Sequence, residues 1–320
     1  MERLLVIAWN DCSKCVEYAA YDETPEDLLL SVSALLQNRV PNQTGYFGLD
    51  LPQLVTQWPV IDRGVKAAFA FLEEERVLDG DRFPTEPALA PLIALWANAP
   101  EQPDRLGNAR NLLRKYMWRA FFTDRYERAA ATAALQDYRA LREVLHGSGD
   151  AANIPCFNES QHPLPEVEEL LQSKWPKRRD RLARAILLVS LRGGALDIAD
   201  GATVTREHLK RREYHHLFPV AHLETLGIEE GGAYRALNCA LITWKTNRTI
   251  GAKNPLDYLT ARTEAAKLGE NEIRQRLRSH NISYDDLSRC GYQDFLTNRA
   301  KTTMEAVQVL CNGQRWSPPV

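Results

Sequence analysis

The sequence predicts a mainly α-helical protein, with a helical scaffold domain over 1–150 and an α-rich domain over 165–320 that carries one short ββα hairpin. Three observations predict it. Apolar residues recur at helical spacings through much of the chain, with prolines, acids and glycines where helices start and stop. The tract 147–165, rich in Gly, Ser, Asn and Pro, separates two groups of such segments. The run Cys239-Ala-Leu-Ile-Thr-Trp244 is short, apolar and bounded, as a buried strand requires. At 320 residues the chain is long enough for each domain to bury its own core.

Taken in order, Pro25-Glu26-Asp27 opens a helix with Thr24 as its cap, since acids favour a helix N-terminus. Residues 60–78 place Val65, Ala68, Phe69, Phe71, Leu72 and Val77 at helical spacings. Pro84, Pro87 and Pro91 punctuate the approach to an apolar segment, Leu92–Trp96, and 98–104 reads as a loop. An amphipathic helix follows over 104–122. Its stripe is Leu106, Leu113, Met117, Trp118 and Phe121, with Arg110, Arg114, Lys115 and Arg119 expected largely elsewhere. The next helix, 129–145, stops at His146-Gly147. Beyond the boundary tract, 173–184 holds six basic residues and one acid, either a wet helix face or a phosphate-binding edge. It leads into a buried helix, Ala185–Leu191, ended by Gly193-Gly194.

Bulk properties narrow the class. No apolar run approaches the ~20 residues of a membrane span, and the N-terminal apolar core is too short for a signal peptide, so the cytoplasm is expected. The six cysteines include one lone C-x-x-C, Cys12 and Cys15, without a second pair at zinc spacing, so free thiols are expected. Net charge is −2, yet residues 1–104 hold 7 Lys/Arg against 17 Asp/Glu and residues 105–320 hold 33 against 25. The second part is the one suited to meet a polyanion.

The sharpest motif is Glu213-Tyr-His-His-Leu-Phe-Pro219, followed by Asn238 and by Lys245-Thr-Asn-Arg-Thr-Ile-Gly251. Adjacent histidines, an asparagine and a second asparagine nine positions later read as a compressed ββα-metal (HNH-type) nuclease hairpin. Phosphodiester hydrolysis needs an activated water and charge stabilisation at the phosphate and leaving oxygen. Mapped onto that chemistry, His216 is the general base, Asn238 braces the loop that orients it, and His215 and Asn247 are the metal ligands. Arg248 is preferred over Lys245 and Lys253 for the phosphate, because a guanidinium matches phosphate oxygens with paired bonds. Mg²⁺ or Mn²⁺ is the expected ion, with other divalent metals open. His208, His222 and His280 are expected to be structural or exposed, and Glu213 either tunes a ligand or faces solvent. A base with the ordinary histidine pKa would lose activity below about pH 6.5, and a rate flat from about pH 5 to 8 would contradict it.

The residues Tyr214-His-His-Leu-Phe-Pro219, Asn238, Lys245–Gly251, Pro255 and Tyr258 resemble the C-terminal nuclease module of GmrSD-type modification-dependent restriction enzymes. So does Tyr292-x-Asp-Phe-Leu-x-x-Arg-Ala300, and 114–126 with Asp137 is similar to the helical segment that precedes the nuclease there. The resemblance covers roughly 105–300. It implies a DNA endonuclease or nickase in restriction or antiviral defence, acting on modified foreign or phage DNA. In that family a ParB-like domain with an Asp-Gly-Gln-Gln-Arg motif couples nucleotide hydrolysis to sensing. The motif is missing from this sequence, where Asp79-Gly-Asp-Arg82 is only an echo. The chain is therefore expected to be the back half of such an enzyme, working with a separate sensor/NTPase domain or subunit. The alternatives are a non-catalytic DNA-binding or regulatory subunit and an RNA-cleaving toxin on the same hairpin.

Overall fold

The computed structural model describes residues 21, 25–177, 180–198, 200–243, 253–254, 257–258, 261 and 269–319. The expectations for Cys12, Cys15, Thr24, Lys245, Asn247 and Arg248 fall outside them. The protein is mainly helical, with one two-stranded sheet among the described residues. No helix among them is long and apolar enough to cross a membrane. The chain forms two compact units, one up to Leu164 together with Leu310–Gln314, the other Pro165–Val309 together with Arg315–Val320.

The first unit contains α1 (Pro25–Leu36), α2 (Gln43–Phe47), α3 (Leu51–Glu74), α4 (Leu89–Ala97), α5 (Pro103–Phe122) and α6 (Ala130–His146). Every residue of α4 is buried, and α1, α3 and α6 all pack against it. A helix apolar on all sides belongs at a centre. Gly64 in α3 permits the close approach, since a Cβ there would lie 2.7 Å from the Ala97 Cβ and 2.8 Å from the Ile93 carbonyl oxygen. Helix α3 starts nine residues earlier than the sequence pattern indicates, because Asp50 accepts a bond from the Gln53 N–H at 3.0 Å and caps it. It ends at Glu74, and Arg76, at φ of 61°, turns the chain away before Val77.

Helix α5 departs from expectation in a telling way. Arg114 and Arg119 are each only 1% exposed. Buried Glu75 explains the first, accepting from Arg114 Nε at 2.9 Å and from Trp118 Nε1 at 3.1 Å. Arg119 donates to the carbonyls of Cys156 and His162, both at 2.8 Å, and to Glu159 Oε1 at 3.3 Å. Buried charge persists only when paired in this manner. Those bonds tie 156–162 to α5, so the first unit extends to Leu164, whereas the sequence places its end at 150. Arg119→Met is expected to loosen this tract, raising amide exchange at 156–162 at least about tenfold. Exchange mass spectrometry would read this, and unchanged protection would contradict it.

The second unit contains α7 (Val167–Gln172), α8 (Arg181–Leu191), β1 (Arg212–His216), α9 (Val220–Thr225), α10 (Glu230–Ala233), β2 (Cys239–Thr243), α11 (Glu270–Arg278) and α12 (Tyr284–Arg289). Helix α13 (Tyr292–Cys311) belongs to it up to Val309. Strands β1 and β2 pair antiparallel, from Arg212 opposite Thr243 to His216 opposite Cys239. Residues 239–242 are fully buried, which is why β2 reads as an unbroken apolar run. The described cysteines Cys156, Cys239, Cys290 and Cys311 are free thiols.

Candidate functional site

Everything that distinguishes the end of β1 follows from how its last residues are held. After His216 the chain leaves the sheet, and the Leu217 N–H donates to the Asn238 carbonyl at 2.9 Å. The Asn238 side chain, wholly buried, then takes both backbone groups of Phe218. Its Oδ1 accepts from the Phe218 N–H at 2.8 Å, and its Nδ2 donates to the Phe218 carbonyl at 3.0 Å. The same Nδ2 donates to the Ala233 carbonyl at 3.0 Å. An amide suits this place because it offers an acceptor and two donors in one plane. Tyr258, buried, donates from its hydroxyl to the Leu217 carbonyl at 3.0 Å.

A second support lies behind Asn238. Arg299 of α13 is 4% exposed, and its Nη1 donates to the carbonyls of Leu237 and Cys239. Its Nη2 donates to Ser190 Oγ at 3.1 Å and to the His280 carbonyl at 3.2 Å. Burial pulls its pKa down to about 10, so it stays charged at neutral pH. At the other end of the sheet, fully buried Asp197 accepts from Arg212 Nη1 at 3.0 Å and from the Thr243 N–H at 2.8 Å. Both ends of the two-stranded sheet are thus tied down by buried ions.

His216 itself stands among rings. Trp175 stacks on it at 4.1 Å between centroids and 17° between planes, and Tyr234 meets it at 4.6 Å and 86°. Tyr214, two residues earlier and on the same strand face, lies 6.5 Å from Trp175. Nε2 of His216 is buried without a hydrogen-bond partner among the described residues. This apolar setting pushes its pKa down to about 4, because burial penalises the imidazolium. The imidazole is therefore neutral at pH 7. His215, 4% exposed, belongs to the opposite face of β1.

Of the sequence-selected residues, the structure brings His215, His216 and Asn238 to one end of the β1–β2 pair, while Asn247 and Arg248 lie outside the described residues. Exposed Lys253 precedes Asn254, whose Oδ1 accepts from the Asp257 N–H at 2.9 Å, as a helix cap does. Glu213 and His208 are exposed, and His222 is half-buried. His280 is fully buried, and its Nε2 lies 2.7 Å from the Leu196 carbonyl oxygen. Among the described residues, no three His, Cys, Asp or Glu side chains gather as a metal-binding group.

Sequence reasoning missed Trp175, Tyr234 and Asp197. The signal for Trp175 was present: a residue before proline disfavours helix, so Trp175-Pro176 belongs to an extended segment. That segment forms a bridge between Lys174 and Arg235. No family model matches this chain, and no curated protein matches it.

The two buried histidines make stability depend on pH. Burial pushes the pKa of His280 down to about 4 as well. Between about pH 6.5 and 4 the unfolded chain therefore binds more protons than the folded one. Stability should be complete above pH 6.5 and decline as pH falls through that window, by about 2 kcal/mol at pH 5 for fully buried His280 and by less for His216, which solvent partly reaches. Urea unfolding at pH 7.5 and pH 5 would reveal the drop, and equal midpoints would contradict it. The lowered pKa also moves the acid limb expected for a His216 base well below pH 6.5, so a rate flat from about pH 5 to 8 no longer counts against it.

Proposed function

We propose that this protein is a metal-dependent DNA endonuclease or nickase that hydrolyses phosphodiester bonds at the end of β1. The observation that carries this reading is His216: neutral, with an Nε2 that no described residue engages, at the end of a strand whose exit loop is gripped by Asn238. A general base must be unprotonated before it acts and fixed in direction. Burial favours the first, and the amide of Asn238 with the Trp175 stack favours the second.

In this reading His216 takes a proton from a water molecule as the water's oxygen attacks phosphorus. Asn238 is a positioning residue that acts through the Phe218 backbone. His215 and Asn247 would hold Mg²⁺ or Mn²⁺, and Arg248 would meet the phosphate. A neutral imidazole and a neutral amide suit an ion whose charge is met by phosphate oxygens. When bound, the ion stabilises negative charge on the phosphate and on the leaving 3′ oxygen. The resemblance to GmrSD-type enzymes supports a place in restriction or antiviral defence, with modified foreign or phage DNA as substrate and a separate sensor/NTPase as partner.

Supercoiled plasmid incubated with the protein and Mg²⁺ or Mn²⁺ tests the activity. Relaxed or linear product that disappears with EDTA and returns with excess metal is expected. Plasmid that is bound but never cut would favour a regulatory subunit, and cutting confined to RNA would favour a ribonuclease.

A further inference from the structure

Beside the histidine stands a ring that the hydrolytic chemistry does not use. Tyr234 is 37% exposed, whereas Trp175 is 6% exposed. Trp175 and His216 meet it at 71° and 86°, so neither lies parallel to it and no ring among the described residues stacks on it. Trp175 meanwhile covers one face of His216. A molecule approaching His216 is kept from that face.

The position of Tyr234 is fixed on both sides by the network that holds the loop. The Ala233 carbonyl before it takes Asn238 Nδ2. Arg235 after it bridges to Lys174, Arg235 Nη1 donates to the Gln172 carbonyl at 2.9 Å, and the Ala236 N–H donates to the Ser173 carbonyl at 3.0 Å. Lys174 and Lys177, both exposed, add positive charge on the adjoining segment. An exposed, backbone-anchored aromatic ring with cations alongside is what an unpaired nucleotide needs: a surface for its base and attraction for its phosphates.

We infer that Tyr234 stacks on the nucleobase next to the scissile phosphate, and that the preferred substrate is DNA with that nucleotide unpaired, as in a single strand, flap or mismatch. This inference rests on the proposed nuclease reading and deepens it. In an intact duplex each base face is occupied by its neighbours, and exposing one costs a few kcal/mol. An already unpaired base meets Tyr234 without that cost.

The test measures binding of the full chain, in EDTA so that nothing is cut, to a fluorescein-labelled single-stranded oligodeoxynucleotide and to its perfect duplex. Tyr234→Ala should weaken single-strand binding by about five- to a hundredfold, the range of base–aromatic stacking. Duplex binding should stay within about twofold, and Tyr234→Phe, which keeps the ring, should bind the single strand like wild type. Equal losses on both probes, no loss on either, or a Phe variant as weak as Ala would overturn the inference. So would a wild type that prefers the duplex, or one that prefers single-stranded RNA. If wild type binds or cuts DNA while Tyr234→Ala is unaltered, only the stacking role fails. If wild type binds no DNA of any form, the nuclease reading fails with it.

Discussion

His216→Ala is expected to reduce DNA cleavage by about 10²–10⁴-fold while leaving DNA binding within about twofold. In the proposed mechanism, removing the imidazole removes the proton acceptor but none of the cationic groups assigned to the phosphate. The fold should tolerate the change. His216 Nε2 has no partner among the described residues to lose, and the desolvation that holds its pKa near 4 is relieved when the ring goes. What is lost is its packing against Trp175 and Tyr234, which leaves a flat slot between two rings. Added imidazole should enter that slot and restore part of the rate. Single-turnover cleavage with and without imidazole reads all of this. A variant that cuts like wild type would remove His216 from the chemistry, and one that is unfolded by circular dichroism would make it structural.

Asn238→Ala should have the largest effect on stability, about 3 kcal/mol or more. Three hydrogen bonds vanish together, and the Phe218 N–H, the Phe218 carbonyl and the Ala233 carbonyl lose their side-chain partner in a place without solvent. Asn238→Asp should be no gentler, since a carboxylate keeps the acceptor for the Phe218 N–H but sets a second oxygen against two carbonyls. In the proposed mechanism Asn238 acts through the loop and not on substrate, so cleavage measured well below the variant's melting temperature should fall in kcat while KM holds. Urea unfolding and steady-state kinetics separate the two effects. Loss confined to KM would place Asn238 on the substrate instead.

Much of this was legible in the sequence because it depends on local rules. Helices α5 and α6 announce themselves by apolar periodicity and by the Gly147 stop, which sits at φ of 81°. Strand β2 is short, apolar and bounded. The His215-His216 pair and Asn238 stand out in the sequence, and the strand pairing brings them to one end of the sheet.

The rest depends on partners far along the chain. Arg114 looks like a surface cation until Glu75 is found 39 residues away and buried. Arg119 decides where the first unit ends, through carbonyls near 156 and 162 that no pattern marks. Asp197 sits in an ordinary turn sequence, and only the β1–β2 pairing brings Arg212 and Thr243 to it. Trp175 reads as one apolar residue in a basic stretch, yet its ring lies on His216.

The central claim is that water, activated by His216, breaks the bond to the 3′ oxygen. Single-turnover cleavage of an oligodeoxynucleotide in ¹⁸O-labelled water with Mn²⁺, read by mass spectrometry, tests it most directly. The account predicts one ¹⁸O in a new 5′-phosphate on one fragment and an unlabelled 3′-hydroxyl on the other. Fragments that carry no label, or intact oligonucleotide that is bound but never cut, would contradict it.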